Sequence, residues 1–218
     1  MKAYQLTGPQ TLEQVTAPDP EPEDGQVLLK IEHVSICGSD THMNFHPTLP
    51  EEQYPFAPGL PCHEIAGTIV ESKNPEHAVG QRAIILPTFN PGVGMTNGGL
   101  AEYIASEKVI PLPDYGDTSD WVMCQPAGTA IQASREWGTT DDKTFLIMGQ
   151  GAIGLSTTAV ASRMGAMKVI GVDLDDYRLD KAAELGADAT LNPDRDDLLE
   201  AVMDLTDGKG VDVVVEAT

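Results

Sequence analysis

The sequence predicts two parts of different class: an all-β part, followed by an α/β part on a parallel, doubly wound sheet. Three observations carry this. Up to about Trp137 the chain is rich in proline and glycine and holds short β-forming runs. From Thr144 apolar strands alternate with helical segments. A G-x-G-x-x-G loop joins the first of those strands to the first of those helices. The parts are drawn as residues 1–138 and 139–218.

In chain order, VLLKIEHVSI, IAGTIVES, RAIILPTF and LAEYIASEKVIPL read as strands, β-branched runs bounded by turn formers. From Met123 to Glu136 the pattern turns helical, with Ala and Ile at helical spacing and Gly138 placed as a stop. Next come a strand over Thr144–Met148, a helix over Ile153–Met164, a strand over Lys168–Val172 and a helix over Tyr177–Leu185 stopped by Gly186. A helix over Leu198–Leu205 and a strand over Val211–Val215 follow. The last residues, VDVVVEAT, end on or just after a buried strand that expects a covering helix, so the chain is read as truncated.

Composition narrows the function. A hydrophobic content of 41% suffices for a core, and no stretch approaches the run of about 18 apolar residues that a membrane span needs. The N-terminus lacks a signal-peptide pattern, and Cys37, Cys62 and Cys124 are too few for a disulfide framework, so reduced thiols and a cytoplasmic location are expected. Thirteen Lys+Arg against 34 Asp+Glu give a formal charge of −21, which repels nucleic acid and anionic membranes. Self-repulsion of that size favours a salt-rich host; an ordinary acidic cytoplasmic protein is the alternative.

Two sets of residues carry chemistry. In FLIMGQGAIGL, Gly149 allows a tight turn, Gly151 lets a pyrophosphate approach the backbone and Gly154 lets the helix pack on the strand. Asp173 ends the next strand, 19 positions after Gly154; its carboxylate can accept ribose hydroxyls and would repel a 2′-phosphate. NAD is therefore favoured over NADP. Upstream, VSICGSDTH puts Cys37, Ser39, Asp40 and His42 close together, and GLPCHEIAG adds His63 and Glu64, residue types preferred by zinc. Alone, each has a bland reading as packing thiol or structural histidine.

Taken together, Cys37-Gly38-Ser39-Asp40-x-His42, His63-Glu64-x-x-Gly67, Val79-Gly80-x-Arg82, Gly98-Gly99-x-Ala101-Glu102-Tyr103 and GQGAIG resemble the zinc-dependent medium-chain dehydrogenase/reductase family, alcohol dehydrogenase-like and of the polyol/sugar branch. The resemblance implies α/β plus β architecture: an N-terminal GroES-like β domain, then an incomplete Rossmann domain, with one catalytic zinc in the cleft between them. It makes Cys37, His63 and Glu64 the metal set, with Glu64 a ligand or a close supporting acid, and has Asp40 orient His63. Ser39 would take the alcohol proton and His42 pass it on. Gly149, Gly151, Ile153, Gly154, Asp173 and Arg178 would hold the cofactor. A full-length form would be a homo-dimer or homo-tetramer.

Three departures from the family stand out. Gln125 replaces a metal-binding residue, so it is assigned to substrate, with Cys124 beside it as a rival ligand. Cys62 stands where the family usually has glycine, and PTFNPGVGMTNGG occupies the place of a cysteine-rich structural-zinc lobe without any cysteine. The expected activity is hydride transfer between NAD and a secondary alcohol of a polyol, sugar or related compound. The alternative is a truncated, non-catalytic remnant that binds zinc or NAD, or a fragment of a longer gene.

Overall fold

The computed structural model describes residues 1–41, 51–90, 94–95 and 98–218, and of residues 51, 89, 90, 94 and 95 the backbone only. The chain forms two compact units, Met1–Gln125 and Pro126–Thr218. Helix α2 (Cys124–Ser134) contains the division, so the helix that the sequence reading placed wholly in the first part is shared.

In the first unit β1 (Lys2–Gly8) and β2 (Thr11–Thr16) form an antiparallel hairpin that the sequence reading passed over. The main sheet has the order β8-β3-β4-β5-β9, all antiparallel, from β3 (Val27–Ser35), β4 (Glu64–Ser72), β5 (Arg82–Ile85), β8 (Tyr103–Ser106) and β9 (Val109–Pro111). Side chains alternate between its faces. Val27, Leu29, Ile65, Ile69, Ala83, Ile85 and Ile104 pack on one side. On the other, Ala66 and Ile84 pack with Leu112 and Val122, beside the short helix α1 (Thr118–Trp121). A two-residue ribbon pairs β6 (Phe89–Asn90) with β7 (Gly94–Met95).

One irregularity in the sheet matters for the site. The β3–β4 register shifts between Ile31 and His33: Ile31 faces Gly67, whereas Ser35 faces Glu64. Without the extra residue Ser35 would have faced His63. This bulge re-aims the strand end that leads into Cys37, and side chains hold it. Glu32 accepts hydrogen bonds from Thr68 (2.8 Å) and Thr118 (3.0 Å). The Thr118 hydroxyl has one hydrogen and spends it on Glu32, so His33 Nδ1, 2.8 Å away, is the donor to its oxygen.

In the second unit all strands are parallel, in the order β12-β11-β10-β13. They are β10 (Thr144–Met148), β11 (Lys168–Val172), β12 (Ala189–Leu191) and β13 (Val213–Glu216). Between them run α3 (Ala152–Arg163), α4 (Asp176–Leu185) and α5 (Leu198–Leu205). Phe145, Ile147 and Val169 face α3 through Ala161, and Ile170, Val172 and Leu191 face α5 through Val202. The chain steps from β10 to β12 on one side, then returns past β10 to β13 on the other. That reversal makes the carboxyl ends of β10 and β13 a switch point, the usual place for a ligand in such sheets.

Candidate functional site

Cys37 lies two residues beyond the end of β3 and His63 one residue before the start of β4, so the bulged register sets them side by side. The ligand atoms of Cys37, His63 and Glu64 all lie within 4.8 Å of one another, the one such group of three among the described residues. Thiolate, imidazole and carboxylate are a zinc donor set, and three protein ligands leave a fourth position for a small molecule.

Asp40 joins the two loops. Its carboxylate, 0% exposed, accepts the backbone N–H of Cys37 on Oδ2 at 2.9 Å and that of Cys62 on Oδ1 at 3.1 Å. His63 Nδ1 lies 3.2 Å from the same Oδ1. With Nδ1 committed, Nε2 is the nitrogen left for a metal, the usual carboxylate–histidine arrangement behind a ligand. The hydrogen bond to Asp40 raises the His63 pKa; burial works against it. Ser39 is half-buried in the helical turn that starts at Gly38, and His42, the expected relay, lies outside the described residues.

The two other thiols are occupied. Burial, reinforced by the Asp40 charge, pushes Cys62 up to about 12, and its thiol donates to the Ser35 carbonyl at 3.2 Å. Its φ is +75°, left-handed backbone that a side chain rarely adopts, which is a physical reason for glycine at this position. Cys124 packs against the Ala66, Ile84, Leu112 and Val122 cluster, and burial raises its pKa as well. It stands outside the three-residue group. Gln125 is half-buried in the first turn of α2.

In the second unit each glycine of the loop has a distinct environment. Gly149 has φ +84°, and a Cβ there would lie 2.5 Å from the Ala217 carbonyl oxygen; one on Gly154 would meet the Gly149 oxygen at 1.8 Å. Around Gly151 there is nothing within 4 Å, the open ground a pyrophosphate needs. Asp175 and Asp197 cap α4 and α5 with their side chains, whereas α3 opens on Gly151 without a side-chain cap. The first N–H groups of α3 and its positive dipole end are thereby left to an anion. Ile153 is half-buried in that first turn.

Asp173 closes the loop from the next strand. Oδ2 accepts the Gln150 N–H at 2.6 Å and Oδ1 the Asp175 N–H at 2.9 Å, while Arg178 Nη1 stands 3.7 Å from Oδ2. Burial alone would raise this carboxyl; the N–H donors of Gln150, Asp175 and Leu174 and the Arg178 charge outweigh it, and the net shift is downward.

Sequence reasoning missed the side chain of Gln150. It is 0% exposed, bonded to the Ile147 carbonyl and to the Thr158 hydroxyl at 2.9 Å each, and pins the loop from beneath. A polar residue between two motif glycines was the available signal. The Glu32, His33 and Thr118 support had none, because those residues meet only through the bulge.

Comparison with known proteins follows the same two units. The alcohol dehydrogenase GroES-like domain family matches residues 23–114, and the zinc-binding dehydrogenase family matches residues 152–218. The chain belongs to the zinc-binding dehydrogenase family. An alcohol dehydrogenase from Cupriavidus necator is 31% identical over 100% of this chain and 70% of its own length. A D-arabitol-phosphate dehydrogenase from Enterococcus avium is 32% identical over 91% of this chain and 63% of its own. Against these two curated relatives the chain spans 63% and 70% of their lengths. Among solved structures, an Escherichia coli oxidoreductase/dehydrogenase of unknown specificity superposes with a TM-score of 0.90 at 28% identity, covering 100% of this chain and 70% of that one. A protein described as a zinc-binding dehydrogenase from Sinorhizobium meliloti, bound to NADP, gives 0.86 at 28%, covering 100% and 69%. As a zinc-binding dehydrogenase the chain has the GroES-like β fold and Rossmann-like parallel sheet that its sequence led one to expect.

Proposed function

We propose that this zinc-binding dehydrogenase is a zinc-dependent oxidoreductase that moves a hydride between NAD and a secondary alcohol of a polyol, sugar or related compound. The convergence of Cys37, His63 and Glu64 within 4.8 Å, with Asp40 behind His63, is the observation that carries the proposal. Zinc held by these residues would act as a Lewis acid that lowers the pKa of an alcohol and orients it. Ser39, in the turn between Cys37 and Asp40, accepts the alcohol proton, and His42 passes it toward solvent. Gln125 contacts substrate. Gly149, Gly151, Ile153 and Gly154 cradle the pyrophosphate on the open end of α3, while Asp173 takes the adenosine ribose beside Arg178. The D-arabitol-phosphate and alcohol dehydrogenases among its relatives support an alcohol as the substrate class.

The test is a zinc titration and an NAD-linked assay over a panel of polyols on the unaltered chain and on Cys37→Ala. Stoichiometric zinc and turnover in the former, both lost in the latter, support the proposal. Turnover retained in Cys37→Ala defeats the zinc mechanism. Zinc binding with weak NAD affinity and no turnover on any alcohol favours the non-catalytic reading.

A further inference from the structure

Beyond the glycine loop, a second polar network stands at the same carboxyl edge of the sheet. Asp173 N–H donates to the Leu191 carbonyl at 3.2 Å, so the ends of β11 and β12 lie side by side. Asn192, the next residue, is buried and is the hub. Its Nδ2 donates at 3.0 Å both to the Leu174 carbonyl and to Asp176 Oδ1, its N–H donates to Asp196 at 2.7 Å, and its Oδ1 accepts from the Asp194 N–H at 3.1 Å. The turn so formed carries Arg195, whose Nη1 reaches Asp176 Oδ1 at 2.6 Å. Asp176 is thus placed one side chain away from Leu174, the residue after the ribose acceptor.

Three carboxylates of the rim, Asp173, Asp175 and Asp176, are paired with two guanidiniums. Arg178 faces Asp173 at 3.7 Å and Asp175 at 4.0 Å; Arg195 faces Asp176. A ribose with a free 2′-hydroxyl needs an acceptor here, whereas a 2′-phosphate needs an arginine. Both arginines are present, and both are paired.

We propose that Asp176, anchored by Asn192, is a second determinant of dinucleotide choice: it occupies Arg195 and so withholds from a 2′-phosphate the guanidinium that would bind it. Asp173 discriminates by repulsion and Asp176 by sequestration. The proposal rests on the reading of the glycine loop as a dinucleotide site.

The probes are 5′-AMP and 2′,5′-ADP, which report the adenosine end alone, and the readout is the ratio of their dissociation constants by calorimetry. In Asp176→Asn the ratio should shift toward 2′,5′-ADP by roughly 5- to 10-fold, the scale of one freed arginine–phosphate contact. Adding Arg195→Gln should abolish the shift, and Asp180→Asn, which removes one charge from the same helix, should not reproduce it. An unchanged ratio in Asp176→Asn, a shift that survives Arg195→Gln, or an equal shift in Asp180→Asn overturns the proposal while 5′-AMP binding leaves the dinucleotide reading standing. Failure of the unaltered chain to bind 5′-AMP defeats both.

Discussion

Replacing Asp40 with asparagine tests the proposed metal centre at its support rather than at a ligand. The aspartate uses both oxygens: Oδ2 for the Cys37 N–H, Oδ1 for the Cys62 N–H and the His63 ring. An amide has one oxygen. If that oxygen takes the place of Oδ1, the NH₂ group faces the Cys37 N–H, donor against donor; in the opposite orientation two donors lose their acceptor. At least one N–H, the part-buried one of Cys37 or the buried one of Cys62, is orphaned either way, at a cost of about 1–3 kcal/mol. For a chain of this size each kcal/mol lowers the melting temperature by about 2–4 °C. In the better orientation His63 keeps only a neutral acceptor, and losing a charged partner behind a metal ligand weakens binding by about 10- to 100-fold. Thermal melting of the metal-free protein reads the first effect and zinc competition against a chromogenic chelator the second. A variant whose melting temperature and zinc affinity both match the unaltered chain would refute the assignment of Asp40 as the tie between the two loops.

Other consequences follow from the same geometry. Thr118→Val removes the hydroxyl that holds Glu32 and His33 at the bulge, and should cost about 1–2 kcal/mol by urea titration while weakening zinc several-fold; intact zinc affinity would show that the bulge needs no such support. Cys62→Gly should be more stable than Cys62→Ala by about 1 kcal/mol, because alanine keeps the left-handed backbone cost that glycine escapes; comparable melts would argue against strain there. The Asp173 pKa is lowered in the folded state, so its stabilisation is present above the usual 3.8 and is lost as pH falls through the depressed value. The stability gap between the unaltered chain and Asp173→Asn should accordingly narrow below that pH in acid titrations. With a charge of −21, the melting temperature should rise between dilute buffer and molar KCl, where the Debye length falls to about 3 Å; a flat response would remove the proposal of a salt-rich host.

Much of this protein is written locally. Alternating apolar segments between Thr144 and Val215 are enough for a parallel sheet. The spacing of Gly149, Gly151 and Gly154 before Asp173 marks the loop, and the family resemblance carried by Cys37, Asp40, His63 and Glu64 points to a metal set that no one of them indicates alone. These are properties of short windows, where side-chain type and period suffice. A strand of three residues, Ala189–Leu191, is too brief to show a period, and the β1–β2 hairpin went unread beside stronger runs.

What only tertiary structure decided is relative placement. The register that sets Ser35 opposite Glu64 depends on one extra residue, held by Glu32 and by a threonine 86 positions away. The left-handed backbone at Cys62, the three donors converging on Asp40, and the Asn192 hub that keeps Arg195 on Asp176 arise in the same way. Strand pairing is a long-range choice whose energy is spread over a whole ladder, and no local window carries it.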